Sequence, residues 1–145
     1  MKMSRRQIVA VAVASVAQMG VSESRGGDVY KADGAGALNV VSAWLAGVPA
    51  AAGDVAVWDG NVLGAYSSTL GAATSWQGIR IGDANSGNPG GAVTIAADGN
   101  ALTLGSAGVD LSLATQNLTI AAPVTLGAAQ TWNVGAGRTV TAKGW

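Results

Sequence analysis

A triplet of apolar residue, hydroxyl residue and apolar residue recurs through the second half of the chain, and it constrains the fold more than any other feature. It stands as Val93-Thr94-Ile95, Leu102-Thr103-Leu104, Leu111-Ser112-Leu113, Leu118-Thr119-Ile120 and Val124-Thr125-Leu126. Trp132-Asn133-Val134 and Val140-Thr141-Ala142 are looser copies. Each triplet has period two, with its outer residues on one face and the hydroxyl on the other, which is the pattern of a strand. Asp98-Gly99-Asn100, Gly105-Ser106, Thr115-Gln116-Asn117 and Gly135-Ala136-Gly137 supply turns between them. Leu38-Asn39-Val40, Val55-Ala56-Val57 and Ile79-Arg80-Ile81 are earlier strand candidates. After residue 22 no stretch keeps apolar residues at i, i+3, i+4 and i+7 over three turns without a glycine, so the chain reads as all-β.

The choice among β architectures turns on what can fill the core. Hydrophobic residues make up 49% of the chain, but much of that is alanine, and phenylalanine is absent. A thick core is hard to build from this set, whereas a thin one stacked in layers of small side chains is feasible. Glycine is 22 of 145 residues and proline only three, which indicates frequent tight turns. The expected fold is a short β-solenoid, a β-helix-like stack of small strands. An antiparallel β-sandwich or jelly roll is the alternative, since it also places strands every ~8–12 residues. The triplets alone leave both open.

Three segments are distinguished. Residues 1–20 combine Lys2, Arg5 and Arg6 with an uncharged run from Ile8 to Ala17, whose end has small residues at alternate positions (Ala12-Val13-Ala14 and Ser15-Val16-Ala17). That is the layout of an export leader, and Ser4-Arg5-Arg6-Gln7-Ile8-Val9 resembles the twin-arginine form. The run is too short to span a bilayer as a helix. It also alternates Val9, Val11 and Val13 with alanine, so a retained docking strand is the competing reading. Residues 21–37 are polar and glycine-rich and read as a linker. Residues 38–145 form a single β-repeat domain.

The chemistry that can be supported is limited. With no cysteine there is no disulfide and no thiolate metal site, and with no histidine the commonest general base is missing. Eight basic and eight acidic residues cancel. Without residues 1–17 the balance is five basic against eight acidic, a net of −3, which gives no electrostatic claim on nucleic acid. Most aspartates sit beside glycine or asparagine, as turn residues do. Asp59-Gly60-Asn61 and the run from Gly82 to Asn88 are oxygen-rich, but neither has the paired acidic spacing of a calcium loop. No enzyme activity and no cofactor are expected.

Five tryptophans remain. Trp44, Trp58, Trp76 and Trp132 each flank a strand candidate, where packing over a thin core is the leading reading and a carbohydrate-stacking platform the functional one. Trp145, together with Ile8, Val9, Val11, Val13 and Val16, is a candidate for assembly contacts.

The body of the chain resembles the autotransporter-associated β-strand repeat of bacterial surface and secreted proteins. The likeness is carried by Trp44-Leu45-Ala46-Gly47-Val48-Pro49 followed by Gly53-Asp54-Val55-Ala56-Val57-Trp58-Asp59. Leu70-Gly71-Ala72 with Ser75-Trp76-Gln77-Gly78-Ile79 continues it. So do Leu118-Thr119-Ile120, Leu126-Gly127-Ala128-Ala129-Gln130-Thr131-Trp132-Asn133-Val134 and the closing Gly135 to Thr141. The resemblance spans about residues 38–144. It implies a β-helical or sandwich module exposed outside the cell and without enzymatic activity. Members usually run to many repeats, often with an outer-membrane barrel, and no segment here is read as such a barrel.

The expected function is therefore that of a secreted or cell-surface structural protein that assembles with copies of itself into a filament or coat, with strand donation from the N-terminal segment as one route. The alternatives are an adhesion module that stacks tryptophan on surface polysaccharide, and a virion decoration or fibre protein. Neither a nucleic-acid partner nor a membrane span is expected.

Overall fold

Eleven short strands and a single 3₁₀ turn (Val41–Ala43) make up the regular structure of residues 26–144, the part of the chain that the computed structural model describes. The strands are β1 (Asp28–Tyr30), β2 (Gly36–Ala37), β3 (Val55–Trp58), β4 (Ser67–Thr69), β5 (Thr74–Ile81) and β6 (Val93–Ala96). They continue as β7 (Leu102–Leu111), β8 (Leu118–Ile120), β9 (Val124–Leu126), β10 (Trp132–Val134) and β11 (Val140–Ala142). All of their pairings are parallel, and each strand pairs with its counterpart one turn further along the chain. The offset runs from 22 residues, Leu102 against Val124, to 32, Gly36 against Ser68. A sandwich would pair sequence neighbours antiparallel. The chain is a β-solenoid of about five turns.

Three sides enclose the core. One is the ladder β1-β3-β5-β7-β10, and a second is β2-β4-β6-β8-β11. The third consists of the first halves of β5 and β7 followed by β9, with Thr74 against Leu102 and Leu102 against Val124. Strands β5 and β7 therefore bend from one side to the next. At that bend Gln77 of β5 stands opposite Gly105, Ser106 and Ala107 of β7, because Trp76 pairs with Leu104 while Gly78 pairs with Gly108. Gly108 makes the corner possible: its φ is +64°, and a Cβ there would lie 2.2 Å from the Thr131 carbonyl oxygen of the next turn.

The triplets explain the core directly. Val93 and Ile95, Leu102 and Leu104, and Leu118 and Ile120 are buried, while Thr94, Thr103 and Thr119 between them are only partly covered. Stacking in register turns this alternation into columns. Ile79 lies on Val109, Trp58 on Ile81 and Ile95 on Ile120, each column running along the axis. Fully burying one such side chain contributes about 1.5–3 kcal/mol. Ser67, Thr94, Thr119 and Thr141 form the matching outward column on the second side.

Three expectations are corrected here. The segment 21–37, read as a linker, supplies β1 and β2 of the first turn, and Val29 within it is buried. Leu38-Asn39-Val40 is a turn, with Leu38 buried and Val40 exposed. In Leu111-Ser112-Leu113 the strand ends at Leu111, where the Ala114 amide donates to the Leu111 carbonyl and turns the chain. Leu113 is left exposed. Val57, on the outward column with Tyr30 and Arg80, is nevertheless fully buried. The Arg80–Asp28 ion pair reaches across the turn that carries it.

The corner Asp and Asn residues do more than punctuate turns. Asp54 accepts from the Gly27 amide, Asp33 from Leu63, Asp98 from Gly71 and Asn117 from Thr139. Asn88 both accepts from the Thr115 amide and donates to the Leu113 carbonyl. Each of these side chains bridges to a neighbouring turn. At Asp98 the bond from Gly71, reinforced by Asn100, holds the carboxyl below its ordinary value of 3.8. The amides of Asn85 and Ser86 do the same at Asp83. A group with a depressed folded pKa contributes stability that is complete above its unfolded pKa and lost as pH falls through its folded value. The drop in Tm between about pH 6 and about pH 3 is therefore expected to shrink in Asp98→Asn. Equal acid sensitivity in melts of the two proteins would show that this carboxylate is not a source of it.

Candidate functional site

Ring burial decides what the tryptophans can do. Trp44, Trp58 and Trp76 are 2%, 3% and 1% exposed. They meet edge to face, with centroids 6.0, 6.0 and 6.1 Å apart. The indole N–H of Trp44 donates to the Leu38 carbonyl (2.8 Å), and that of Trp76 to the Ala50 carbonyl (3.2 Å). Ligand stacking requires an open ring face, and these three have none to offer. Their residues instead fill the broad early turns, where the third side has no strand ladder. Trp132 is partly buried and donates its N–H to Gln130 Oε1 (2.8 Å).

The largest polar cluster lies on the outside of the first three turns. The Arg80 guanidinium bridges Asp28 (2.6 Å) and Asp83 (2.9 Å). The Ser86 hydroxyl donates to Asp59 (2.5 Å), which also receives the Asn61 amide (3.0 Å) and its side-chain N–H groups. Burial and the nearby Asp83 and Asp28 carboxylates push the Tyr30 phenol above its usual range. The oxygens of Asp59 and Asp83 are occupied by these donors, and among the described residues no group of three or more acidic side chains is placed to hold a metal ion. Lys31 is buried as well, its ammonium donating to the carbonyls of Ala32 (2.8 Å) and Gly34 (2.9 Å), and burial holds its pKa down. This is structural chemistry: each group is engaged in holding a turn.

The two ends of the stack differ, and the difference carries the candidate site. At the first turn, the segment after the 3₁₀ turn folds back over β1. Trp44 forms an antiparallel bridge with Lys31, the Leu45 amide donates to the Tyr30 carbonyl, and the Ala32 amide to the Ala43 carbonyl. The chain caps its own edge there. At the last turn β9 pairs only with β7, β10 only with β7 and β11 only with β8. Among the described residues no strand covers their outer edges. Such edges are templates for further pairing.

Side-chain exposure follows the same logic. Leu126 and Val134 occupy inward positions, in register with the buried Leu104 and Leu111, yet they are 49% and 46% exposed, and no further turn among the described residues covers them. Sequence reading picked out Trp132, but it missed Leu126 and Val134. They carry the same triplet signal as the buried strands, and only their place in the last turn distinguishes them. Ile8, Val9, Val11, Val13, Val16 and Trp145, the assembly candidates, lie outside the described residues.

No helix among the described residues is long and apolar enough to cross a membrane. Compared with known proteins, the chain matches no family model, no curated protein and no solved structure.

Proposed function

We propose that this chain is a non-enzymatic structural module of the cell exterior that associates with copies of itself through the open last turn. The observation that carries the reading is the last described turn, where Leu126 and Val134, in register with buried core residues, form an exposed apolar layer that no further described strand covers. Open strand edges are templates for pairing and uncovered apolar residues are costly to leave in water, and a second chain satisfies both at once. Further support comes from the absence of His and Cys, from the leader-like N-terminus and from the resemblance to surface-protein repeats. A filament results if the contact joins unlike surfaces, since such contacts do not close on themselves. The polysaccharide-binding alternative loses support with the burial of Trp44, Trp58 and Trp76.

Sedimentation velocity and negative-stain electron microscopy test the reading. The wild-type chain is expected to form oligomers that grow with concentration. Leu126→Lys combined with Val134→Lys is expected to abolish them while leaving the circular dichroism spectrum intact, because both side chains are already half exposed. A wild-type protein that stays monomeric at its highest soluble concentration sinks the proposal.

A further inference from the structure

Resting on that reading, we infer which surface of the second copy meets the last turn. It is the cap of the first turn, so that copies stack head to tail with Leu126 and Val134 seated against Val40, Val41, Leu45 and Val48. Eight large apolar side chains are exposed among the described residues, and six of them lie in these two places. Leu63 and Leu113 are the other two. The cap is the outermost layer at its end, because the Ala43 carbonyl and the Leu45 amide take the edge of β1 that faces away from β3. Val41 and Leu45 are 61% and 56% exposed there. Since that edge of β1 is filled, the cap offers a partner side chains rather than a strand edge.

Charge selects this pairing over its rivals. From Asp28 to Asp110 the chain carries seven aspartates against two basic residues, Lys31 and Arg80. Beyond Asp110 there is no acidic side chain, and Arg138 and Lys143 make the last turn basic. In the first turn Lys31 is buried with its ammonium on backbone carbonyls, and Asp28 is held by Arg80. Asp33 is exposed and in no ion pair among the described residues. Lys143 is exposed at the other end, and Arg138 reaches back to the Thr115 carbonyl. Two last turns facing each other would set these cations against their own copies, and two caps would do the same with their aspartates. Like charges across an interface disfavour both arrangements. Apposing the unlike ends sets apolar against apolar and basic against acidic. Because every ladder is parallel, the solenoid has a direction, and this contact carries it from one copy to the next with both outer ends left for growth.

Complementation between two blocked forms of the full chain tests the contact. Val41→Lys with Leu45→Lys blocks the cap, and Leu126→Lys with Val134→Lys blocks the last turn. All four side chains are at least 46% exposed, so both variants are expected to fold. In sedimentation velocity each is expected to run as a monomer alone, and their equimolar mixture as a one-to-one heterodimer that grows no further with concentration. Lys143→Glu, added to the cap-blocked chain, is expected to raise the dissociation constant of that heterodimer about threefold at low salt. An unchanged constant overturns the charge-matched orientation. If the cap-blocked chain still assembles as the wild type does, the first turn is not the partner, and this inference fails while self-association through the last turn stands. It fails equally if both variants are monomeric and their mixture does not pair. A wild type that never assembles removes both proposals. Should the first cap variant lose the near-ultraviolet circular dichroism of the neighbouring Trp44 cluster, Val40→Lys with Val48→Lys is read in its place.

Discussion

Trp76→Ala is expected to lower the stability of the solenoid by about 3–5 kcal/mol, the usual range for deleting a buried aromatic side chain. Trp76 is the most deeply buried of the three clustered rings and touches both Trp44 and Trp58 edge to face. Its loss removes core area, two aromatic contacts and the bond from its N–H to the Ala50 carbonyl. The cavity would open in the broad early turns, where the third side lacks a ladder that could close over it. Trp132→Ala, at a partly buried ring near the open end, is the comparison and is expected to cost clearly less. Urea denaturation of both variants measures the difference, and near-ultraviolet circular dichroism reports the loss of the coupled rings. A cost for Trp76→Ala below about 1 kcal/mol, well under the core range, would mean that the cluster does not hold the early turns together.

Gly108→Val is the second large effect. The residue sits at the bend of β7 with φ +64°, a conformation that a β-branched side chain resists, and the Thr131 carbonyl would meet its Cβ at 2.2 Å. Backbone strain of about 1–2 kcal/mol adds to a steric cost of about 1–3 kcal/mol, so a loss of several kcal/mol is expected. The oxygen belongs to the backbone just before β10, so the damage should concentrate in the last two turns. Hydrogen exchange would reveal it as lost protection in β10 while β3 and β4 keep theirs. Uniform loss of protection would show that the turns unfold as one unit.

The legibility of this fold in its sequence follows from how burial is arranged. Val93-Thr94-Ile95 and Leu118-Thr119-Ile120 were readable because they have one face on the core and one in water, and period two is then written into the residues. Ser67-Ser68-Thr69 gave no such sign. Its central serine occupies an inward column over Ile95, so a hydroxyl stands where a strand reading looks for an apolar residue. β1 and β2 were concealed by the polar, glycine-rich composition of residues 21–37, where Val29 is the one buried apolar strand residue. Solenoid and sandwich could not be separated, because the partner of Leu102 is Val124, 22 residues away, and no local pattern records that distance. The candidate site was only half visible. The Val/Ala alternation near the N-terminus lies outside the described residues, and Leu126 and Val134 carry the same signal as the buried triplets until their place in the stack is known.

The corner bridges of Asp54, Asp98, Asn88 and Asn117 have a mechanical consequence. The backbone bonds of the ladders point along the solenoid axis, so tension on that axis would peel one turn from the next, a bond at a time. Side chains anchored in one turn and bonded to the amide of another add a second tether, and they do so at the corners, where the ladders are interrupted. A cable made of such units would resist stretching through these ties as well as through its strands, with the load carried around the whole perimeter.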